Sequence, residues 1–370
     1  MTAQEFVALS EVCPASPVRR KTRVPDESVW TLNLDQIESG TGKILEKISA
    51  PVAAAKNSTH WFDERHVLYS KLRPYLNKVV LPDQPGLATT ELVPLLPDEK
   101  RLDRKYLAYY LRSRPFVNWV SAQVAGAKMP RVNMKVFWEH KIPLPPLKEQ
   151  KRIAAILDKA DSLRRKRQQA IQLADQFLRA VFLDMFGDPT RNPMGWAVKS
   201  LGGLVQNLDG KRVPVKAADR KKMAGEYPYY GASGIIDYVD DYLFEGRNLL
   251  IGEDGANLLA RSTPIAFIAE GKYWVNNHAH VLGETEHARL EYLMYTINRK
   301  SIADYVSGSA QPKLNQAQMN RIPIPVPPVE LQDKFVDIIS SMKEIGSRYS
   351  DSRYNIDRVF QSLTSKVFRG

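Results

Sequence analysis

Two acidic fragments are the first places to look for catalysis. Pro82-Asp83 followed by Asp98-Glu99-Lys100 has the residue order of a PD-(D/E)xK nuclease, in which carboxylates hold a metal beside a lysine. Both pieces sit in proline-rich turns, whereas metal-assisted hydrolysis needs carboxylates that converge from strands, so the match reads as chance. SGTGKI (39–44) imitates a phosphate-binding loop, but Ile37 stands where the first glycine belongs and Ile44 where Ser or Thr should reach Mg²⁺. Adenine amino-methyltransferases carry an Asn/Asp-Pro-Pro-aromatic motif; here Asn192-Pro193 is followed by Met194. His278 and His280 would share one face of a strand, yet two nitrogens make a poor metal site without a third ligand such as Glu253 or Asp254. The chain reads as non-catalytic, with no metal or cofactor of its own.

A second chemistry fits better. Reading bases takes Arg or Lys for guanine and Asn or Gln for adenine, with phosphate contacts around them. LYSKLRPYLNK offers Lys71, Arg73, Tyr75, Asn77 and Lys78 in one loop-flanked segment. Two glycine-containing loops further on offer Tyr229, Tyr230, Ser233, Asp254 and Asn257. Lys128 and Arg131, with Gln311 and Lys313, occupy corresponding places in two copies of one pattern. LRRKRQQ (163–169) either faces phosphates or is a solvated helix face.

The elements that must hold these side chains are written twice. Slid by 182 residues, the chain sets Gly126 on Gly308, Pro130 on Pro312, Asn133 on Asn315, Pro145-Pro146 on Pro327-Pro328 and Gln150 on Gln332. A shift of 186 sets Tyr106-Leu107 and Tyr109 on Tyr292-Leu293 and Tyr295. In the first copy VLYSKL (67–72), KVVLP (78–82) and ELVPLL (91–96) read as strands, and 105–122 as a helix interrupted near Pro115. In the second, NLLIGED (248–254), PIAFIAE (264–270) and YWVNNHAHVLG (273–283) read as strands and 288–307 as helix. The expected order is a mixed α+β unit (1–141), a long helix (142–188), a second such unit (189–321) and a second helix (322–370).

The first long helix repeats apolar residues at Ile153, Ile156, Ala160, Leu163, Ala170, Ala174, Phe177, Val181 and Met185, with Arg167 as the break. The second follows with Phe335, Ile338, Met342, Ile345, Ser352, Ile356, Val359, Leu363 and Val367, with Tyr349 at the break. A shared heptad register is a coiled-coil seam; the plainer alternative is two amphipathic helices, each packed on its own domain. Ala154, Leu157, Ile171, Leu173, Leu178 and Phe182 form a second stripe on the first helix, which suggests a bundle completed by another protein. Gly187 and Pro189 supply its stop.

Bulk properties narrow the class. A formal charge of +12 suits a polyanionic partner. The single cysteine, Cys13, excludes disulfides within the chain and a cysteine-based zinc site. No apolar run is long enough to span a bilayer and no secretory signal is visible, so a cytoplasmic protein is expected, with no membrane partner.

Taken in order, IPLPPLKEQKRIAAIL with its helix to VFLDMFGDP, the weaker copy from Ile324, AKMPRVN (127–133), SAQPKLN (309–315), LYSKLRPYLNKV (68–79), YPYYGASGIIDYV (227–239) and LLIGEDGAN (249–257) resemble the specificity subunit of type I restriction–modification enzymes over essentially the whole chain. The C-terminal copy departs most, with ELQDKF in place of KEQKRI. The resemblance implies an α+β fold: two similar mixed α/β target-recognition domains, separated by two long antiparallel coiled-coil helices in a pseudo-twofold repeat. It implies that each domain reads half of a split double-stranded DNA target and that the helices set the spacing. The implied partners are two copies of a methyltransferase subunit and a motor–nuclease subunit, which would carry S-adenosylmethionine, ATP and Mg²⁺. Two other classes stay open: a nuclease or fused methyltransferase acting alone, and a coiled-coil assembly protein without specific DNA binding.

Overall fold

A computed structural model describes residues 5–18, 27–54, 59–126, 128–308, 310–344 and 368. The chain divides into two compact units, one of residues 1–168 with 349–370 and one of residues 169–348. The division falls inside a single helix.

The first unit runs β1 (Phe6–Ala8), α1 (Leu9–Val12), β2 (Ser28–Leu32), β3 (Ile48–Pro51), β4 (Thr59–Phe62), β5 (Val67–Ser70), β6 (Val79–Val80), β7 (Gly86–Thr89), β8 (Leu92–Leu95), α2 (Arg104–Arg112), α3 (Arg114–Ser121), β9 (Val124–Ala125), β10 (Arg131–Val132), α4 (Met134–Glu139) and β11 (Lys141–Pro143). A four-stranded sheet has the order β3-β2-β7-β4 and a three-stranded one β6-β5-β8, while β1 pairs with β11 and β9 with β10. The expected break near Pro115 is a change of helix: Ser113 ends α2, and its side chain caps α3 by accepting the Phe116 N–H. The main core gathers Tyr69, Tyr106, Phe116 and Phe137 with Ala154 and Leu157.

The helix that follows is α5 (Leu147–Phe186), 40 residues long. Gly187, at φ 76°, returns its N–H to the Leu183 carbonyl and ends it, a left-handed stop that favours glycine. Both stripes pack at the ends of the helix: Ile153 of the first is buried and Val181 and Met185 lie against the second unit's core, whereas Ile171 and Leu173 of the second stripe are exposed. Ala154 and Leu157 are buried in the first unit, and Leu178 and Phe182 in the second, while Ile156, Leu163 and Phe177 of the proposed seam are exposed. The matching C-terminal helix is described over 329–344; the seam positions Ile345, Tyr349, Ser352, Ile356, Val359, Leu363 and Val367 lie outside the described residues.

The second unit continues with β12 (Ala197–Ser200), β13 (Gln206–Asn207), α6 (Ala217–Arg220), β14 (Ala224–Gly231), β15 (Gly234–Val239), β16 (Phe244–Gly252), α7 (Asn257–Ala260), β17 (Ala266–Val275), β18 (Ala279–Gly283), α8 (Leu290–Arg299), α9 (Gln316–Asn320) and β19 (Pro323–Val326). Six strands form one sheet in the order β13-β18-β16-β17-β14-β15, and β12 pairs with β19. The helix expected over 288–307 stops at Arg299. Arg261 donates to the Ile297 and Lys300 carbonyls there, so a side chain from elsewhere satisfies the end of a helix whose own sequence has no stop signal, and the ammonium of its C-cap, Lys300, reaches the Pro189 carbonyl.

The repeat is chemical as well as textual. Gln150 and Gln332 are fully buried at the start of their helices. Gln150 accepts from the Asp103 N–H and donates to the Pro145 carbonyl, at 2.8 and 2.7 Å. Gln332 does the same with Arg289 and Pro327, at 2.9 Å each. Tyr106 donates to the Pro143 carbonyl and Tyr292 to the Pro325 carbonyl. Each Pro-Pro junction is thus clamped between a short helix of its unit and the helix that follows the junction.

Candidate nucleic-acid interface

In the first unit the candidate residues lie on two loops that are stitched together. The Val132 N–H donates to the Lys71 carbonyl at 2.9 Å and the Arg73 N–H to the Pro130 carbonyl at 2.8 Å, with Leu72 and Arg131 paired between them. The second unit repeats the stitch 182 residues later: Leu314 N–H to Glu253 at 2.7 Å, Gly255 N–H to Pro312 at 3.0 Å, and Asp254 paired with Lys313. Gly126 and Gly308 open the two turns at φ 94° and 83°; a side chain there would press on the carbonyl of Met129 or, at 2.5 Å, of Gln311. Asn133 and Asn315 close them by capping α4 and α9. Arg131 and Lys313 are strictly equivalent, whereas Lys128 and Gln311 stand one place apart in the matching turns.

Arg73 occupies the place that glycine holds in the second unit, and it has φ 50° all the same. A left-handed arginine costs on the order of 1 kcal/mol or more and persists only where its surroundings impose it. The Pro130 stitch and the Leu76 N–H on its carbonyl impose it here. The result is an exposed guanidinium beside exposed Tyr75 and half-buried Lys71, with exposed Lys128 on the partner loop. Arg131 is exposed as well, but Glu91 holds it through both carboxylate oxygens at 2.9–3.2 Å.

Some expected readers turn inward. The Asn77 amide donates to the Arg112 carbonyl and the Lys78 ammonium to the Leu34 carbonyl, so both brace the loop from behind. Tyr229 is fully buried, and its hydroxyl accepts from the Val215 N–H at 2.9 Å. That corrects its assignment as a DNA contact, because no part of the ring or hydroxyl reaches the surface. Asn257 spends its amide on the turn ahead, donating to the Thr263 carbonyl and accepting from Ser262 and Thr263. Tyr230 packs against Phe267 and Tyr273, and burial raises its phenol pKa.

Ser233 stays exposed at the tip of the β14–β15 hairpin. That tip lies over the end of β16, where a side chain at Gly252 would meet the Ala232 carbonyl at 2.8 Å. Ser233 therefore stands near the loop carrying Asp254, with exposed Gln311 and Lys313 on the stitched partner loop.

Of the two histidines expected on one strand face, His278 lies in the turn at 277–278 and only His280 lies on the strand, β18. His278 is exposed and bonds Asp254 at 2.6 Å; His280 is buried between the Asp209 carboxylate at 2.6 Å and the Leu314 carbonyl at 2.8 Å. Burial works to raise the Asp209 pKa, but the hydrogen bond and charge of His280, with Val281 and Arg212, hold it below the usual range. His280 thereby clamps one of the stitched loops to β18.

The catalytic mimics come apart in the same way. Asp83 is exposed and paired with Lys47 at 2.7 Å, while Asp98 accepts from the Lys100 N–H within its own turn. SGTGKI is followed by β3 rather than a helix, and its Gly40 N–H is bonded to the Leu76 carbonyl. Among the described residues no three His, Cys, Asp or Glu side chains gather as a metal site, and no helix is long and apolar enough to cross a membrane.

One feature of the second unit has no counterpart in the repeat. KRVPVKAADRKK (211–222) holds six basic residues and one acidic, whereas the segment 182 residues earlier, VWTLNLDQIESG, is acidic. Its only sequence signal is that count.

A family model described as the type I restriction modification DNA specificity domain matches residues 4–173 and again 193–347. A putative type I restriction enzyme specificity subunit of Haemophilus influenzae is 35% identical over 149 residues, 40% of this chain and 38% of that protein. The EcoDI specificity subunit of Escherichia coli is 25% identical over 220 residues, 55% of this chain and 49% of that protein. The EcoprrI specificity subunit of Escherichia coli is 24% identical over 341 residues, 86% of this chain and 82% of that protein. The chain therefore spans less than half the length of the first two relatives and most of the third. Among solved structures, the type I restriction–modification S subunit of M. genitalium has a TM-score of 0.64 at 16% identity, covering 100% of this chain and 98% of that one. A chain from a study of type I complex assembly has a TM-score of 0.54 at 18% identity, covering 100% and 98%. With the family matched twice over most of its length, the chain belongs to the type I restriction–modification DNA specificity domain family.

Proposed function

We propose that this chain is the non-catalytic DNA-recognition subunit of a type I restriction–modification complex. Each unit reads one half of a split duplex target with its stitched loops. The chain holds two copies of a modification subunit, which uses S-adenosylmethionine to methylate adenine, and a motor–nuclease subunit that takes ATP and Mg²⁺. The observation that carries this reading is the duplicated loop stitch, which presents Arg73 and Lys128 in one unit and Gln311 and Lys313 in the other through the same backbone bonds. Paired copies of one backbone device with different exposed side chains are what reading two different half-sites requires. A gel shift against a randomised duplex pool, with and without the partner subunits, tests it. Enrichment of a split motif supports the reading; metal-dependent cutting by the isolated chain, or no enrichment with partners present, counts against it.

The assembled complex should cut DNA without help from this chain's acidic fragments. Asp98→Ala is expected to leave both cleavage and binding unchanged, and lost cleavage with intact binding would return the nuclease reading to contention. A second expectation concerns α5. Four residues inserted near Arg167 add about 6 Å of rise and keep the helix face within about 40°. With about 3.4 Å per base pair, the unspecified spacer of the methylated motif should lengthen by about one or two base pairs while both half-sites stay the same. An unchanged spacer in an active complex would mean that α5 does not set the separation.

A further inference from the structure

Residues 209–222 of the second unit are pinned to the sheet at five successive places. Asp209 bonds His280 and the Val281 N–H of β18. Arg212 donates to Glu253, just past β16, at 2.7 Å. The Val213 carbonyl accepts from the Trp274 indole of β17 at 2.6 Å. Val215 is held by the Tyr229 hydroxyl of β14, and Arg220 pairs with Asp237 of β15 at 2.8 Å while lying over the Tyr229 ring. The order of these anchors, β18, β16, β17, β14, β15, is the order in which the strands neighbour one another in the sheet. The segment is a strap laid across the sheet, strand by strand.

What the strap leaves outside is cationic. Lys211, Lys216, Lys221 and Lys222 are all exposed. The acids near them are few: Asp219 lies 3.8 Å from the Lys222 ammonium, Asp237 is taken by Arg220, and Asp240 follows at the far end. Residues 211–222 carry a net +5 inside a segment, 189–321, that totals +2, so the rest of that segment is acidic on balance. The row starts beside the candidate reading loops, because Arg212 and Lys313 share Glu253, Lys313 at 3.3 Å. A flexible basic tail would pay conformational entropy on ordering; this row is already held in place.

We propose that residues 211–222 form a phosphate-binding strap that seats the sugar-phosphate backbone of duplex DNA next to the loops carrying Asp254, Gln311 and Lys313. It rests on the proposed DNA-reading role and adds to it a surface that supplies affinity without sequence information. Fully buried Tyr229 is then a positioning residue for the strap.

The test replaces Lys211, Lys216, Lys221 and Lys222 by Gln together and measures binding of the assembled complex to cognate and scrambled duplexes across a salt series. Each neutralised phosphate contributes about 0.9 to the slope of log affinity against log salt. The Gln variant is expected to have a slope shallower by about 2–4 and to bind both duplexes about tenfold or more weakly near physiological salt, with the methylated motif unchanged. The matching Lys→Arg set should restore both slope and affinity. An unchanged slope in the Gln variant, with the wild-type complex binding its motif, would overturn the strap. So would weakened capture of the modification subunit with DNA binding intact, since that would assign the row to an acidic protein surface. A wild-type complex with no motif preference would instead refute the underlying DNA-reading role.

Discussion

Exchanging residues 1–141 for the matching segment of a family member is expected to change one half of the methylated sequence and leave the other half as it was. The physical basis is that the candidate readers of the first unit travel as a set. Lys71, Arg73 and Tyr75 depend on the stitch to Pro130 and Val132, so an exchange must carry both loops, and 1–141 does. The second unit builds its loops from its own sheet: Arg212 holds Glu253, which also pairs with Lys313, His278 holds Asp254, and His280 holds the Leu314 carbonyl. The exchange leaves Pro145, Pro146 and Gln150 in place, and an incoming segment must meet them with the Asp103 N–H and Arg101 carbonyl that Gln150 pairs with, a tyrosine at the place of Tyr106 and an edge strand in the place of β1. Sequencing the modified bases in a host carrying the hybrid reads out the result. A change in both halves would mean that the two units do not read independently.

Gln150→Leu is expected to be among the most destabilising single substitutions in the first unit. Leucine fills a similar volume, so the loss comes from three polar groups left unpaired in the interior: the Asp103 N–H and the Arg101 and Pro145 carbonyls. A buried group without a partner costs about 1–3 kcal/mol, and the three together about 3–5 kcal/mol because they relax in part. In a unit of this size that lowers the first thermal transition by about 10 °C. Gln168→Leu, at an exposed position on the same helix, should stay within about 0.5 kcal/mol of the parent. Equal transitions for the two variants would remove the junction clamp from the account.

The repeat was legible because its carriers are residues with few substitutes. Buried Gln150 and Gln332 each satisfy a donor and an acceptor at a proline junction, and glycine opens each reading turn, so spacing alone aligned them. Even the four-residue offset that matched Tyr106 to Tyr292 is borne out, since both hydroxyls reach equivalent proline carbonyls. Side-chain direction was not legible. Arg73 and Asn77 both take left-handed backbone without being glycine, and that bend aims Arg73 outward while Asn77 turns to Arg112. Tyr229 looked like a reader because it neighbours glycine-rich loops; its burial follows from the partner across the sheet, Trp274, and from Val215. The basic strap has neither periodicity nor a repeat counterpart, so no motif marks it, and its order comes from anchors on or beside five strands that sequence distance hides.

Mapping methylated bases in a host that carries the locus, with and without this chain's gene, tests the central claim most directly. The account predicts a gene-dependent split motif, two short defined halves around a spacer of fixed length, with methylated adenine in the halves. A motif that persists without the gene, or a single uninterrupted motif that depends on it, would contradict a chain that reads DNA with two separate units.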